Sequence, residues 1–169
     1  YLQMLAHHIQ TEADLTVATI PVEQDSVAGL GIMQMNDAYE ITRFEEKPKD
    51  PELQKALQLP KTWYERLNIS SDKDLWLASM GIYIFNRKTI LELLDNAQTD
   101  FGKHIIPCAI QTHKLSSYVF QGYWEDVGTI KAFFEANLDL TSLVPKFNFF
   151  DMQSPVFTRP RFLPASKVN

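Results

Sequence analysis

The chain has 169 residues, of which 45% are hydrophobic and 22% charged, a composition typical of one globular domain with a substantial core. Its net charge of -5 excludes a basic surface for non-specific nucleic-acid binding, because 21 acidic residues outnumber 16 basic ones. The apolar runs are too short to cross a bilayer, and the one cysteine, Cys108, cannot form an internal disulfide. We therefore expect a soluble cytoplasmic protein that binds neither nucleic acid nor membrane.

The first elements in chain order are a helix and a buried strand. Apolar residues recur at helical spacing over 2–9, which predicts a short helix with one apolar stripe. Its adjacent histidines, His7 and His8, point to different faces, so we interpret them as solvated side chains rather than ligands of one metal ion. The short β-branched run 15–20 predicts a buried strand.

A predicted hairpin follows, formed by the runs 32–35 and 40–46 with an Asn-Asp turn between them. Pro48 stops its second strand directly after Glu46 and Lys47, because proline has no N–H for strand pairing. A lysine ammonium suits a phosphate, and a glutamate carboxylate accepts hydrogen bonds from hydroxyls. The pair is therefore a candidate site for a phosphorylated sugar; the alternative is two solvated surface charges.

Small residues mark two places where a ligand can approach the backbone. Gly31 begins the hairpin, although a plain turn explains a glycine there equally well. The run 75–85 predicts the longest strand, with apolar even positions and with Ser79 and Gly81 on the opposite face. The gap beside the Ser79 hydroxyl can seat a sugar ring; the alternative is close packing against a neighbouring strand.

Several helices and one more strand complete the predicted elements. The expected helices cover 51–57, 62–67, a segment capped by Asn86, a segment from about 102 to 112 that Pro107 kinks or delays, and a last segment that Thr129 caps. The strand covers 117–120, between the last two of these helices. Cys108 lies in an apolar stretch and is expected to be a buried small hydrophobic residue.

Asp126 lies just before the helix that Thr129 is expected to cap. The partial positive charge of a helix N-terminus favours the ionised form of a nearby carboxylate. Mg²⁺ takes ionised oxygen ligands, often together with phosphate oxygens. Asp126 is therefore a candidate Mg²⁺ ligand; the alternative is that it only helps to cap the helix.

Five strings of residues together resemble the glucose-1-phosphate adenylyltransferases (ADP-glucose pyrophosphorylases), a branch of the sugar-1-phosphate nucleotidyltransferases. They are Gly31-Ile-Met, Phe44-Glu-Glu-Lys-Pro, Leu77-Ala-Ser-Met-Gly-Ile-Tyr-Ile-Phe, Asp100-Phe-Gly-Lys and Gly122-Tyr-Trp-Glu-Asp-Val-Gly-Thr-Ile. The Glu-Lys-Pro and Trp-x-Asp-x-Gly-Thr elements resemble the wider family. The Ser-Met-Gly-Ile-Tyr and Asp-Phe-Gly-Lys strings resemble the ADP-glucose branch.

The resemblance implies an α/β fold of the nucleotide-diphospho-sugar transferase type, a Rossmann-like mixed sheet with flanking helices, incomplete in this chain. It implies synthesis of ADP-glucose and pyrophosphate from ATP and α-D-glucose 1-phosphate with Mg²⁺, in glycogen or starch synthesis. By position, Lys47 would bind the sugar phosphate and Asp126 would bind Mg²⁺, and both would be catalytic. Gly31, Glu46 and Ser79 would bind the sugar substrate.

The chain also departs from the family. It lacks the Gly-rich loop with Gly-Thr-Arg that grips ATP, an early metal-binding Asp, and a C-terminal β-helix that takes part in regulation and assembly. We therefore expect 1–150 to be the second, sugar-phosphate-binding half of a catalytic domain, inactive by itself, and 151–169 to be an extended linker. The whole protein would be a homo- or hetero-tetramer, in a plastid if the source is a plant. The alternatives are a UDP- or dTDP-sugar pyrophosphorylase and a non-catalytic regulatory subunit that binds sugar phosphate.

Overall fold

The structure is a computed structural model that describes residues 1–149, 151–152 and 156–157. It divides the chain into two compact units, Tyr1–Gln121 and a second unit that begins at Gly122. None of the described helices is long and apolar enough to span a membrane. The linker expected over 151–169 lies almost entirely outside the described residues, so this division of the chain stays a prediction.

The first unit contains a five-stranded mixed sheet, which confirms the predicted α/β class. Strands β1 to β5 cover, in chain order, Leu15–Val22, Gly31–Met35, Ile41–Glu46, Trp76–Phe85 and Leu115–Val119. They are arranged in the order β3-β2-β4-β1-β5, with β1 and β5 parallel and the other pairs antiparallel. The hairpin of β2 and β3 is confirmed, and the Asn36 side chain accepts backbone N–H groups from Ala38 and Glu40 in its turn.

The described helices follow the predicted segments except α2, which forms where a loop was expected. Helices α1 to α7 cover, in chain order, Leu2–Gln10, Gln24–Val27, Pro51–Ala56, Thr62–Arg66, Arg87–Leu94, Ile106–Thr112 and Ile130–Leu140. A π-helical turn, Phe101–Ile105, runs directly into α6. Pro107 lies in the first turn of α6, so the helix changes from π to α at the proline that was predicted to kink or delay it.

Helices cover both faces of the sheet in the first unit. Ile32 and Met33 are neighbours on β2 whose side chains point to opposite faces, and both are buried. Met33 packs in a cluster with residues of α5 and α6, whereas Ile32 packs with Trp76 and Leu57 next to α2 and α3. Full burial of one large apolar side chain contributes roughly 1.5–3 kcal/mol. The sheet is therefore a rigid support for the residues at its strand ends.

The buried face of α1 is not the predicted apolar stripe. Leu2, Leu5 and Ile9 are exposed, and Met4 and His8 are the buried residues of this helix. The helical spacing was therefore interpreted correctly, but the side that faces the sheet was not.

Both histidines of α1 are hydrogen-bonded within the protein, so their interpretation as solvated side chains is wrong. His8 Nδ1 lies 2.8 Å from Thr16 Oγ1, and its Nε2 lies 3.4 Å from Asn86 Oδ1. The Asn86 side chain therefore lies against His8 and makes no capping hydrogen bond to α5. His7 Nε2 lies 2.8 Å from Ser116 Oγ, and burial, followed by the charge of His8, lowers the pKa of His7.

Cys108 is exposed, so the prediction of a buried cysteine is wrong. Helix α6 buries Ile106 and Ala109, which are three residues apart on one face. Cys108 is two residues from Ile106 and therefore points away from that face.

Candidate functional site

The register of the sheet places Gly31, Glu46 and Ser79 beside one another. Gly31 pairs with Glu46 in the hairpin of β2 and β3. Ile32 pairs with Ala78 across β2 and β4, so Ser79 is next to Gly31, one residue further along the antiparallel pair. Three predicted substrate-binding residues therefore form one row across β3, β2 and β4.

The carboxylate of Glu46 lies against two glycines. A Cβ at Gly31 would lie 2.6 Å from Cζ of Phe44 and 3.0 Å from Oε2 of Glu46. A Cβ at Gly102 would lie 2.5 Å from the same carboxylate oxygen. The Glu46 side chain is 24% exposed and can still meet a ligand. The close approach of Glu46 and Phe44 requires glycine at position 31, whereas contact of Gly31 with substrate stays a prediction.

The backbone of β4 is irregular two residues after Ser79. Gly81 has φ of +70°, and a Cβ there would meet nothing within 4 Å. The pairing of β1 with β4 shifts register between Val17 and Thr19, opposite this glycine. The Ser79 hydroxyl accepts the backbone N–H of Gly81 at 3.3 Å. The register shift thus leaves the backbone open at Gly81, and a sugar seat beside Ser79 stays a prediction.

Sequence reasoning missed Tyr83 and Asp100, which lie close to this row. Burial raises the pKa of Tyr83, a hydrogen bond from Ser79 lowers it, and the carboxylates of Glu46 and Asp100 raise it further. The phenol is therefore a protonated hydrogen-bond donor at neutral pH. The alternation of Ser79, Gly81 and Tyr83 along one strand face was the signal that could have identified it.

The Asp-Phe-Gly-Lys string, which includes the start of the π-helical turn, packs beside Tyr83. The ring of Phe101 stacks on that of Tyr83, with centroids 5.8 Å apart and an angle of 16° between the planes. Asp100 Oδ1 accepts the backbone N–H of Lys103 at 2.9 Å, and this bond is the main cause that lowers the pKa of Asp100. Gly102 leaves the room that the Glu46 carboxylate occupies. The string thus contributes a charge, an aromatic surface and space.

Lys47 follows β3 and carries an exposed ammonium. Its Nζ lies 3.7 Å from Oε1 of Glu46, and its side chain is 59% exposed. Its φ of +50° is in the left-handed region, which a lysine rarely adopts. Its backbone N–H donates to the Leu30 carbonyl at 3.1 Å, and Pro48 behind it is buried. Glu12, Tyr39 and Asn68 have similar positive φ values, so this conformation does not distinguish Lys47, and its role in the site stays a prediction.

Asp126 lies in the second unit, in the loop that precedes α7. Its Oδ1 accepts the backbone N–H of Gly128 at 3.1 Å. Thr129 is the N-cap of α7, as predicted, and its Oγ1 accepts the N–H of Ala132 at 3.1 Å. Asp126 is exposed and belongs to a local turn. That Asp126 and Lys47 serve one site stays a prediction.

The donor set at Asp126 is compatible with Mg²⁺ in phosphate chemistry. No three His, Cys, Asp or Glu side chains of the described residues are grouped in a way that could hold a metal ion. Mg²⁺ at such sites is bound by one or two carboxylates and takes its other oxygens from phosphates and water. An exposed carboxylate with one oxygen already bonded to Gly128 fits that role. Asp126 as a Mg²⁺ ligand stays a prediction.

A surface cavity of about 560 Å³ elsewhere in the first unit contains none of the candidate residues. Lys114, which lines it, contacts two acidic side chains of the same lining. Lys114 Nζ lies 4.0 Å from Oε1 of Glu40, and the Lys114 backbone N–H donates to Asp14 at 3.0 Å. We assign it no ligand.

The chain is similar to a known protein family and to a subunit of a plant enzyme. Residues 1–142 match the model of a protein family described as nucleotidyl transferase. The chain is 37% identical, over 172 aligned residues, to the large subunit 1 of glucose-1-phosphate adenylyltransferase, chloroplastic/amyloplastic, from Zea mays. The alignment covers 100% of this chain and 33% of the maize protein, so the chain spans about one third of that relative.

Proposed function

The chain belongs to the nucleotidyl transferase family, and from that basis we propose that its whole protein makes ADP-glucose and pyrophosphate from ATP and α-D-glucose 1-phosphate. The chain would contribute the side of the site that binds the sugar phosphate. The observation that carries the proposal is the row of Gly31, Glu46 and Ser79 across three strands, with the Lys47 ammonium 3.7 Å from Glu46.

The row offers complementary groups for a phosphorylated sugar. The Glu46 carboxylate accepts hydrogen bonds from sugar hydroxyls, while the hydroxyls of Ser79 and Tyr83 can donate to the sugar or accept from it. The Lys47 ammonium is a compact positive charge suited to the phosphate. A Cβ at Gly81 would meet no atom within 4 Å, so the backbone there is open to a ligand.

In the proposed reaction a phosphate oxygen of glucose 1-phosphate attacks the α-phosphorus of ATP. A new P–O bond forms as the bond from the α-phosphorus to the β-phosphate oxygen breaks, and the electron pair leaves with pyrophosphate. Lys47 would hold the attacking phosphate and reduce the repulsion between two anions. Mg²⁺, with Asp126 as one ligand, would supply further charge neutralisation at the phosphates. This route needs no covalent protein intermediate.

The proposal extends to assembly, location and the activity of the chain by itself. We expect a homo- or hetero-tetramer in the cytoplasm, or in a plastid if the source is a plant. The 169 residues contain no Gly-rich loop with Gly-Thr-Arg for ATP. The purified 169-residue polypeptide should therefore have no turnover, and measurable ADP-glucose formation by it would contradict this.

A second candidate is a non-catalytic subunit that binds sugar phosphate. The maize relative is named a large subunit, which favours an enzyme with more than one kind of subunit. Turnover by the full-length protein in the absence of any other subunit would exclude this candidate. In the same assay ATP, UTP and dTTP should be compared, because a preference for UTP or dTTP would replace the ADP-glucose proposal.

The proposal is tested by Lys47→Ala in the full-length protein. The KM for glucose 1-phosphate should rise at least about 100-fold while the KM for ATP changes less than about threefold, because only the sugar phosphate loses its cation. Lys49→Ala, which removes an exposed lysine two residues away, is the matched control and should leave both constants unchanged. An unchanged KM for glucose 1-phosphate in Lys47→Ala would refute the proposal.

A further inference from the structure

Gln54 is a buried polar residue that the proposed reaction does not use. It belongs to α3 and is only 9% exposed. Its Nε2 donates to the Pro48 carbonyl at 2.7 Å, and its Oε1 accepts from Nε2 of Gln24 at 2.7 Å. Its backbone carbonyl accepts the indole N–H of Trp76 at 2.6 Å. A buried amide whose nitrogen and oxygen each have a hydrogen-bond partner has one defined orientation.

The chemistry of its partners determines that orientation. The Pro48 carbonyl can only accept a hydrogen bond, so the amide NH₂ of Gln54 must face it. The amide oxygen of Gln54 then faces outward and accepts from Gln24. A carboxylate in place of the amide would put two acceptors against each other at Pro48.

The bond to Pro48 stabilises the segment in which Lys47 is strained. Lys47 has φ of +50°, and such a conformation persists only when neighbouring contacts hold it. On its N-terminal side Lys47 is held by the bond from its N–H to the Leu30 carbonyl. On its C-terminal side the next residue, Pro48, is held by Gln54. Gln54 is also hydrogen-bonded to β4, the strand of Ser79, because its backbone carbonyl accepts the indole N–H of Trp76.

We infer that Gln54 is a positioning residue that holds the Lys47–Pro48 segment so that the Lys47 ammonium meets the phosphate of the sugar substrate. The identity of that ligand rests on the proposed function. The bracing of the segment by Gln54 does not, because it follows from the bonds within the protein.

The test is Gln54→Glu in the full-length protein, which keeps the shape of the side chain and, in its ionised form, has no donor for Pro48. We expect the KM for glucose 1-phosphate to rise about tenfold, with the KM for ATP and kcat changed less than about threefold. The matched control is Gln34→Glu. Gln34 also donates from Nε2 to a backbone carbonyl at 2.7 Å, that of Ala56 on the same helix, but away from Lys47. Its kinetic constants should match the wild type.

A second measurement needs no substrate. Hydrogen exchange of a peptide that covers 44–50 should be faster in Gln54→Glu than in the wild type and in Gln34→Glu, because the Lys47 amide loses protection. If Gln54→Glu does not fold, Gln54→Met, which also lacks the donor, replaces it in both arms.

The kinetic and the hydrogen-exchange measurements distinguish the positioning role of Gln54 from the proposed function. Unchanged exchange over 44–50 would overturn the positioning role whatever the kinetics, and so would equal effects of Gln54→Glu and Gln34→Glu. Faster exchange in a protein that has no adenylyltransferase activity even as wild type would overturn the proposed function and leave the bracing role supported.

Discussion

The candidate residues of the two units are positioned in different ways. In the first unit Gly31, Glu46 and Ser79 meet through strand pairing between segments that are far apart in the sequence. In the second unit Asp126 is held by a bond to Gly128, two residues away. The first arrangement depends on the register of a whole sheet, whereas the second is a local turn.

Strand pairing and a local turn should differ in how well they tolerate a Cβ added at a glycine. A Cβ at Gly31 or Gly102 would lie within 3.0 Å of atoms already in place, and one of them belongs to a buried ring. A Cβ at Gly128 would lie 3.2 Å from the Asp126 carboxylate, which is exposed and can yield. The sheet region should therefore be rigid and sensitive, and the loop should be tolerant in shape but dependent on charge.

The largest effect is expected from Asp126→Asn, which removes the charge and keeps an oxygen that can accept from Gly128. If the carboxylate binds Mg²⁺, kcat/KM of the full-length protein should fall about 100-fold or more while its unfolding temperature stays unchanged. Titration of activity with Mg²⁺ should also require higher metal concentrations. Glu125→Gln is the control at the adjacent exposed acid. Wild-type activity in Asp126→Asn would mean that Asp126 only shapes the turn.

The next effect concerns stability, through Gly31→Ala. The added methyl group must displace the buried ring of Phe44 or shift β2, and overpacking of this kind costs about 1–3 kcal/mol. Thermal unfolding of the full-length protein should show it. Gly29→Ala is the matched control, because its Cβ would meet its nearest atom at an ordinary 3.6 Å. Equal unfolding temperatures in the two variants would contradict the close approach at Gly31.

A smaller effect separates two glycines that each lie next to a candidate carboxylate. Gly102→Ala should push the Glu46 carboxylate aside and raise the KM for glucose 1-phosphate by about fivefold. Gly128→Ala, the equivalent change beside Asp126, should alter the same constant by less than about twofold. If the two substitutions have equal effects, the regions do not differ in rigidity.

The smallest effect is a pH dependence of stability at Asp100. The pKa of Asp100 is lowered in the folded protein, chiefly by the backbone N–H of Lys103, so the ionised form stabilises the fold. The stabilisation is fully present above the pKa of an aspartate in the unfolded chain, about 3.9. It is lost as the pH falls through the lower pKa that Asp100 has in the folded protein. Asp100→Asn should therefore lower the unfolding temperature near neutral pH and converge with the wild type in acid. A difference that is constant with pH would contradict this.

Local sequence signals predicted most of the helices and strands but did not predict which side of a helix is buried. The hairpin was predictable because its turn residues and Pro48 act on adjacent backbone, and the cap at Thr129 is local in the same way. The burial of His8 and the exposure of Cys108 were not predictable, because each depends on which side of a helix meets the sheet.

The candidate site shows the same division. Glu46, Lys47 and Ser79 were identified from their side-chain chemistry and from strings that resemble a family. Tyr83 and Asp100 were present in those strings without a role, because their nearness to Glu46 results from the packing of the π-helical turn on the sheet. The bracing of Pro48 by Gln54 likewise joins residues of separate elements.

The sequence by itself determined most of the helices and strands, the hairpin, and the chemical types of the candidate residues, because these depend on neighbours within a few positions. Only the tertiary structure decided the order of the strands, the register that aligns Gly31 with Glu46 and Ser79, and the left-handed backbone of Lys47. The physical reason is that strand pairing and close packing join segments distant in the chain, and their geometry is not encoded in any single segment.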